Sequence, residues 1–225
     1  MKQFNSIILA VFLTGFSVRM ACAQDYPNLK RYHDADQALK DSTVSAVYMG
    51  DSITDFWFRS DSVFFKGNHY ADRGISAQIS PQMLIRFRQD VIDLRPKVVV
   101  ILCGINDIAG NGGPMTLEMT EDNIKNMTEL ARANKIKVVL CSLLPADHFY
   151  WKPELRPAQN VIELNAWIKA YAYKNHLEYV DYYTPLVNGQ GGIKGEYSED
   201  GVHPNAAGYK VMETLVQAAI KKYNK

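Results

Sequence analysis

Short apolar runs alternate along the chain with longer segments in which apolar residues return every three or four positions. The apolar runs are rich in Val, Ile, Leu and Tyr and predict buried β-strands. They span residues 44–49, 97–103, 136–142 and 177–181. The segments with helical periodicity predict amphipathic helices. They lie at residues 83–94, 124–131, 161–171 and 211–220. Ser80 is expected to cap the first of these helices, with Pro81 at its first position. Continuous apolar strands alternating with such helices predict a parallel sheet covered on both faces, a three-layer α/β/α sandwich.

The N-terminal residues follow a different pattern. Lys2 precedes an apolar run over residues 7–16, and small residues lead up to Ala23. This pattern is typical of a secretory signal peptide, residues 1–23, with cleavage after Ala23. The apolar run is shorter than the about 20 residues that a membrane-spanning helix needs. We therefore expect export to the periplasm or the cell exterior, no stable membrane insertion, and a single mature domain over residues 24–225.

The three cysteines do not make a disulfide framework. Cys22 is expected to leave with the signal peptide. Lipidation of Cys22 is the alternative, but Arg19 and Met20 stand where small or branched apolar residues are expected. Cys103 and Cys141 each lie at the end of a predicted strand. They are expected either as buried free thiols or as one bridge between neighbouring strands, which export would permit.

Charge and histidine spacing exclude several classes of partner. Cleavage would remove Lys2 and Arg19 and no acidic residue, which leaves 23 basic and 24 acidic residues. Such a balance gives no basic surface for nucleic acid or an anionic membrane. The histidines lack the spacing of metal ligands, so we expect no metal and no cofactor. They are His33, His69, His148, His176 and His203.

Polar residues at the predicted strand ends are the candidates for chemistry, because ligands of parallel sheets bind beyond the carboxyl ends of the strands. Ser52 follows the first strand and Asn106 the next one, while Asp200 and His203 lie near the C-terminus. A serine hydroxyl becomes a nucleophile when a base removes its proton, and imidazole titrates near neutral pH. Asp200 can hold the other nitrogen of the His203 ring. These residues suggest a catalytic relay with Ser52 as the nucleophile.

Hydrolysis through Ser52 also requires donors for the negative oxygen of a tetrahedral intermediate. The backbone N–H of Ser52 and the side-chain amide of Asn106 have the right chemistry. A glycine loop lets the backbone approach that oxygen closely, and Gly74 is expected to supply the remaining N–H. Each motif alone is common in ordinary turns. Their joint placement at strand ends indicates a functional site.

Residues around the candidate nucleophile are expected to contact substrate. Asp51 precedes Ser52 directly. Trp57 is expected either to touch the acyl pocket or to pack in the core, whereas Phe56 is expected to pack. Trp151 lies in an aromatic segment that suits a sugar ring or a flat acyl group, although the same segment would also suit a cover over the core.

The segments carrying Ser52, Gly74, Asn106 and His203 occur in the order found in the SGNH hydrolases, or GDSL-type esterases and lipases, and the sequence resembles that family over residues 44–220. The resemblance implies a flavodoxin-like fold and metal-free transfer of an acyl group to water. It also implies that the four residues act as nucleophile, oxyanion donors and base, with Asp200 orienting the base.

Two stretches refine the resemblance. Residues 96–100 and 143–145 are similar to the branch of platelet-activating-factor acetylhydrolase subunits and bacterial carbohydrate O-acetylesterases. There are two departures from the family pattern. Ala77 stands where many members have glycine, and Ile53 stands where the family's name has leucine.

Function is therefore expected to be that of an ester hydrolase, with O-acetylated glycans as the favoured substrate. A lysophospholipase or short-chain lipid esterase is the rival enzyme. A glycan-binding protein that retains the fold without catalysis is the alternative from a different class. The expected partner is a small-molecule or glycan ester, and the sequence predicts no oligomeric state.

Overall fold

The computed structural model describes residues 25–223. Five strands form one parallel sheet in the order β2-β1-β3-β4-β5. The strands are β1 (Ala46–Gly50), β2 (Tyr70–Gly74), β3 (Val98–Leu102), β4 (Lys137–Cys141) and β5 (Glu178–Val180). The predicted parallel sheet is confirmed. The predicted signal peptide, residues 1–23, lies outside the described residues.

Helices cover both faces of this sheet. They are α1 (His33–Leu39), α2 (Ser52–Ser60), α3 (Ser62–Gly67), α4 (Ser80–Phe87), α5 (Ile105–Ile108), α6 (Leu117–Ala133), α7 (Ala158–Lys174), α8 (Tyr183–Leu186) and α9 (Ala206–Lys221). Helices α2, α3 and α9 pack together over one face, and α4, α6 and α7 over the other. The three-layer α/β/α sandwich is confirmed.

The central strands explain the apolar runs in the sequence. Every residue of β1 and β3 is buried, because helices cover both faces. The register pairs Gly50 with Gly74 on one side and with Leu102 on the other. The carboxyl ends of β1, β2 and β3 therefore meet at one edge of the sheet. The segments that follow these strands are brought together there.

Strand β2 was not predicted, because Asp72 and Arg73 interrupt its apolar pattern. Both side chains are buried and have local partners. Arg73 Nε donates to Asp36 Oδ1 of α1 at 2.8 Å, and Asp72 Oδ1 accepts from the Gly74 N–H at 2.9 Å. The N-terminal segment covers this edge strand, so charged residues are accommodated where a central strand would exclude them.

The start of α4 differs from the prediction for Ser80. Ser80 is the first helical residue and not the cap. The carboxylate of Asp107 takes the capping role instead, since it accepts from the Ser80 N–H at 3.0 Å and from the Ser80 hydroxyl at 2.5 Å. A π-helical turn, Arg88–Ile92, continues α4. The capping group thus comes from a distant segment, which the local sequence does not reveal.

Cys103 and Cys141 are buried free thiols, so the bridge considered from the sequence is absent. Burial raises the pKa of both thiols, to about 12 for Cys141. Among residues 25–223 there is no helix long and apolar enough to cross a membrane.

Candidate active site

Ser52, His203 and Asp200 form a continuous hydrogen-bonded chain. Ser52 Oγ lies 2.9 Å from His203 Nε2, and His203 Nδ1 lies 2.7 Å from Asp200 Oδ2. These are the contacts that a serine nucleophile, a base and an orienting acid require. The structure therefore brings together residues that are about 150 positions apart in the sequence, as predicted.

Asp200 is held as a carboxylate beside the imidazole. Burial opposes its ionisation, but hydrogen bonds from the His203 ring, the His203 N–H and the Val202 N–H outweigh burial. The pKa of Asp200 consequently lies below its ordinary value. Its Oδ1 accepts both backbone N–H groups at 2.8 and 2.9 Å. A charged Asp200 fixes Nδ1–H on the His203 ring and leaves Nε2 free to accept the Ser52 proton.

Local structure places Ser52 at the first position of α2. Asp51 Oδ1 accepts from the Ile53 N–H at 2.9 Å and caps the helix. No helical carbonyl precedes Ser52 to accept its N–H, so this donor remains available. The expected substrate contact of Asp51 is not found, because the side chain is 1% exposed and lies beneath the helix start. Burial raises the pKa of Asp51 to about 6.

Asn106 lies at the site as predicted. It belongs to α5, directly after Gly104, whose φ of 125° turns the chain out of β3. Asn106 Nδ2 donates to the carbonyl oxygen of Gln78 at 3.1 Å. An amide nitrogen carries two hydrogens, so the second N–H of Asn106 is available for a ligand.

Gly74 does not supply a free donor, contrary to the prediction. Its N–H donates to Asp72 Oδ1 at 2.9 Å. A Cβ at this position would lie 2.1 Å from the backbone nitrogen of Asp55, so glycine is required for the close packing of β2 against α2. Gly74 therefore has a packing role beside the site.

Ala77 occupies the place expected of Gly74. It lines the cleft with Ser52 and Asn106, and its φ is 65°, in the left-handed region. No hydrogen bond from the Ala77 N–H is found within residues 25–223. Asp107 anchors the loop that carries Ala77 through its bonds to Ser80. The glycine that many relatives have here was the sequence signal for this position.

Ser52, Ala77 and Asn106 border a cleft of about 440 Å³. It is lined by Ser52, Phe56, Ser76, Ala77, Asn106, Asn111, Tyr150, Trp151 and His203. Trp151 lines the cleft, one of the two placements considered for its segment, and its ring stacks on Phe149 with the centroids 4.9 Å apart. Tyr150 is 63% exposed beside it. The aromatic wall is therefore open to a ligand.

Phe56 lies at the cleft, contrary to the packing expected of it, and Trp57 takes the core position, one of the two placements considered for it. Phe56 faces the cleft, with its ring centroid 4.9 Å from that of His203. Trp57 is 1% exposed, stacks on Tyr209 and donates from Nε1 to Glu213 at 3.3 Å. Of the two placements considered for Trp57, the structure therefore shows packing in the core and not a place at the cleft. Helical geometry explains the outcome, because residues four apart share a face and Phe56 lies four positions after Ser52.

No group of three metal-ligating side chains occurs among the described residues. The chemistry available at the cleft is that of the polar groups described above. A hydroxyl, a base, the backbone N–H groups of Ser52 and Ala77 and the Asn106 amide suit nucleophilic attack on a carbonyl carbon.

Known proteins share this architecture. The sequence model of the GDSL-like lipase/acylhydrolase family matches residues 48–211. A crystal structure of a GDSL-like lipase from Bacteroides thetaiotaomicron is 46% identical, with a TM-score of 0.85, and the alignment covers 87% of this chain and 98% of that one. A Bacteroides fragilis protein assigned as an acylhydrolase is 45% identical, with a TM-score of 0.87, and the alignment covers 90% and 100% of the two chains.

A more distant structure shares the fold alone. The acetylxylan esterase Axe2 from Geobacillus stearothermophilus is 16% identical, with a TM-score of 0.63 over 79% of this chain and 94% of that one. No curated protein matches the sequence. Because the family model covers most of the chain, and two solved structures share almost half of its residues over nearly their whole length, the resemblance seen in the sequence is confirmed, and the chain belongs to the GDSL-like lipase/acylhydrolase family of ester hydrolases.

Proposed function

We propose that this chain is a serine carboxylic-ester hydrolase that forms an acyl-Ser52 intermediate and removes acetyl groups from glycans. The hydrogen-bonded chain from Ser52 through His203 to Asp200 is the observation that carries the serine mechanism. Ser52, Ala77 and Asn106 line the cleft beside it, which supports assigning them as the donors that a tetrahedral intermediate requires.

Acylation begins with attack of Ser52 Oγ on the ester carbonyl carbon while His203 Nε2 takes the hydroxyl proton. Asp200 stabilises the imidazolium that forms. The carbonyl oxygen becomes negative and accepts from the N–H groups of Ser52 and Ala77 and from the Asn106 amide. Collapse of the intermediate breaks the bond to the alcohol, and His203 returns the proton to the leaving oxygen.

Deacylation repeats these steps with water as the nucleophile. His203 removes a proton from water, the hydroxide attacks the acyl carbon, and the same donors hold the second oxyanion. The carboxylic acid leaves when Ser52 Oγ recovers its proton from His203. The proposed steps use these side chains, the backbone N–H groups of Ser52 and Ala77, and water.

The glycan part of the proposal is supported by the aromatic wall. Tyr150 and Trp151 present ring surface next to the nucleophile, and sugar rings pack against aromatic faces. The fold is also that of an acetylxylan esterase. The rival substrate is a lysophospholipid or a short-chain lipid ester, which is favoured by the relative described as a GDSL-like lipase.

Substrate preference separates the acetyl-glycan esterase from the lipid esterase. We expect higher kcat/KM for nitrophenyl acetate than for nitrophenyl octanoate, and release of acetate from acetylated xylo-oligosaccharides. Tyr150→Ala should raise KM for the oligosaccharide by about tenfold, the loss of one ring contact, and leave nitrophenyl acetate unaffected. A strong preference for octanoate or for lysophosphatidylcholine would contradict the acetyl-glycan proposal and favour the lipid esterase.

Binding without catalysis is the alternative from a different class. The catalytic proposal requires that Ser52→Ala abolish ester hydrolysis while the unfolding transition is retained. If the unmodified protein bound acetylated oligosaccharides and released no acetate or nitrophenol, the glycan-binding alternative would replace it.

We also propose that the protein is exported, on the pattern of residues 1–23. N-terminal sequencing of the protein recovered from a periplasmic or culture fraction should then begin at Gln24. Lipid on Cys22 would support the lipoprotein alternative.

A further inference from the structure

The glycine-rich loop at residues 109–113 contacts the candidate oxyanion donor from outside the catalytic chain. Asn111 Nδ2 donates to Asn106 Oδ1 at 2.6 Å, and the Asn111 N–H donates to the Asn106 carbonyl at 3.0 Å. Asn106 is buried, so this bond satisfies an amide oxygen that water reaches poorly. The loop thus fixes the side chain on which the oxyanion depends.

The direction of the Asn106 amide is set by a sequence of donors and acceptors. Trp151 Nε1 can only donate, and it lies 3.1 Å from Asn111 Oδ1. The other end of the Asn111 amide, its NH2 group, must therefore face Asn106. Since that group only donates, Asn106 turns its oxygen to Asn111 and its nitrogen to Gln78 and the cleft. A flipped amide would present an oxygen to the oxyanion and repel it.

The loop itself is held in place. Lys152 Nζ donates to the carbonyl oxygens of Ala109 and Gly110 at 2.6 and 3.1 Å. Lys152 directly follows Trp151, so one segment supplies both the indole that orients Asn111 and the ammonium that anchors the loop.

We propose that Asn111 is a positioning residue for ester hydrolysis, which fixes the oxyanion-binding orientation of Asn106 and links it to the Trp151 wall. This inference rests on the proposed function, because it assumes that Asn106 stabilises an oxyanion. Both ends of the Asn111 amide are engaged, by Asn106 and by Trp151, so we assign Asn111 a role that acts through Asn106.

Kinetics of Asn111→Ala and Asn111→Asp test the proposal. Asn111→Asp keeps an acceptor for Trp151 but removes the donor to Asn106. Both variants should lower kcat for nitrophenyl acetate by about tenfold, the value of one buried hydrogen bond, with KM within about twofold. Asn134→Ala is the matched control, since its Nδ2 donates to the Leu130 carbonyl at the end of α6, and it should leave both constants unchanged.

A double-mutant cycle separates positioning from a merely structural role. Asn106→Ala should lower kcat by about a hundredfold or more. In that background, Asn111→Ala should cause no further loss, because the residue through which it acts is gone. An equal tenfold loss in both backgrounds would overturn the proposal. An unchanged kcat, or a raised KM alone, would overturn it as well.

Failure of the proposed function would give a different pattern. If Ser52→Ala kept its turnover, the serine mechanism would be wrong whatever Asn111 does. If Ser52→Ala and Asn106→Ala both lost turnover while Asn111→Ala kept it, the serine mechanism would stand and the positioning role would fail.

Discussion

At the scale of single residues, two neighbouring aromatic side chains have separate tasks. Phe56 borders His203 in the cleft, whereas Trp57 packs between Phe64 and Tyr209 in the core. Two neighbouring positions of α2 therefore face different sides of the helix, one the cleft and the other the core. The sequence contained the necessary signal in the spacing from Ser52, although the identity of the aromatic residues alone did not reveal it.

We expect alanine substitution to separate these tasks. Trp57→Ala removes a buried indole and should lower the free energy of unfolding by about 3–5 kcal/mol, measured by urea denaturation. Phe56→Ala should lower kcat/KM for nitrophenyl acetate and destabilise the protein by less than Trp57→Ala does. A Trp57→Ala protein of unchanged stability but altered substrate preference would contradict this assignment.

Gly74 and Ala77 are both small, but for different structural reasons. Gly74→Ala would place a Cβ against the Asp55 backbone and should destabilise the protein by about 1–3 kcal/mol. Ala77→Gly keeps the N–H and relieves a left-handed alanine, so we expect turnover within about twofold and no loss of stability. Thermal unfolding and ester kinetics measure both effects. A stable Gly74→Ala protein, or an inactive Ala77→Gly protein, would contradict the two roles.

At the scale of elements, Arg86 of α4 joins the helix to the sheet and to the site. The side chain is fully buried. It donates to Asp90 at 2.7 Å, to Gln78 Oε1 at 2.6 Å and to the Gly50 carbonyl at 3.0 Å. The Gln78 carbonyl in turn accepts from Asn106, so one guanidinium supports the end of β1 and the partner of the proposed oxyanion donor.

Loss of Arg86 should therefore affect both stability and activity. Arg86→Met leaves Asp90 buried without its partner and should lower the free energy of unfolding by about 3–5 kcal/mol. In Arg86→Lys, a single ammonium cannot reach all three acceptors. This variant should therefore be only slightly more stable than Arg86→Met. Arg88→Met, on the exposed neighbour, is the control and should change stability by less than about 0.5 kcal/mol in chemical denaturation. Equal stability of the Arg86 and Arg88 variants would contradict the role of Arg86.

Prediction from sequence succeeded for strands that consist largely of buried apolar residues, because such strands appear in the sequence as apolar runs. Apolar runs identified β1, β3, β4 and β5, and the polar residues after β1 and β3 pointed to Ser52 and Asn106, which the structure places at one cleft with His203. Strand β2 escaped because its charged residues find partners in a segment distant along the chain. The free N–H of Ala77 escaped for a related reason, since the direction of a backbone donor depends on how the loop is anchored by Asp107. Local patterns do not contain such tertiary contacts.

At the scale of the whole molecule, buried carboxyl groups make stability depend on pH. Burial raises the pKa of Asp51 to about 6 and that of Asp72 to about 7. The folded state thus binds these protons more tightly than the unfolded chain does, and stability falls as pH rises from about 4 to about 7. Asp200, whose pKa is lowered, loses its contribution only below that range.

We therefore expect a higher Tm at about pH 5 than at about pH 8, with each pKa unit worth about 1.4 kcal/mol. Asp72→Asn keeps the acceptor for the Gly74 N–H and should flatten this dependence, as scanning calorimetry would show. Asp122→Asn, at an exposed position, is the control and should leave the pH dependence of Tm unchanged. A Tm that rose from about pH 5 to about pH 8 would contradict the raised pKa values of Asp51 and Asp72.

Trapping the acyl group on the protein tests the serine mechanism most directly. Ser52 lies in the tryptic segment 41–59 together with Ser42 and Ser45, so tandem mass spectrometry can assign the modified hydroxyl. After mixing with nitrophenyl acetate and a rapid acid quench, the proposed mechanism predicts one acetyl group on Ser52 and none on the other two serines. Hydrolysis by a protein that never carries acetyl on Ser52, or that still turns over as Ser52→Ala, would contradict it.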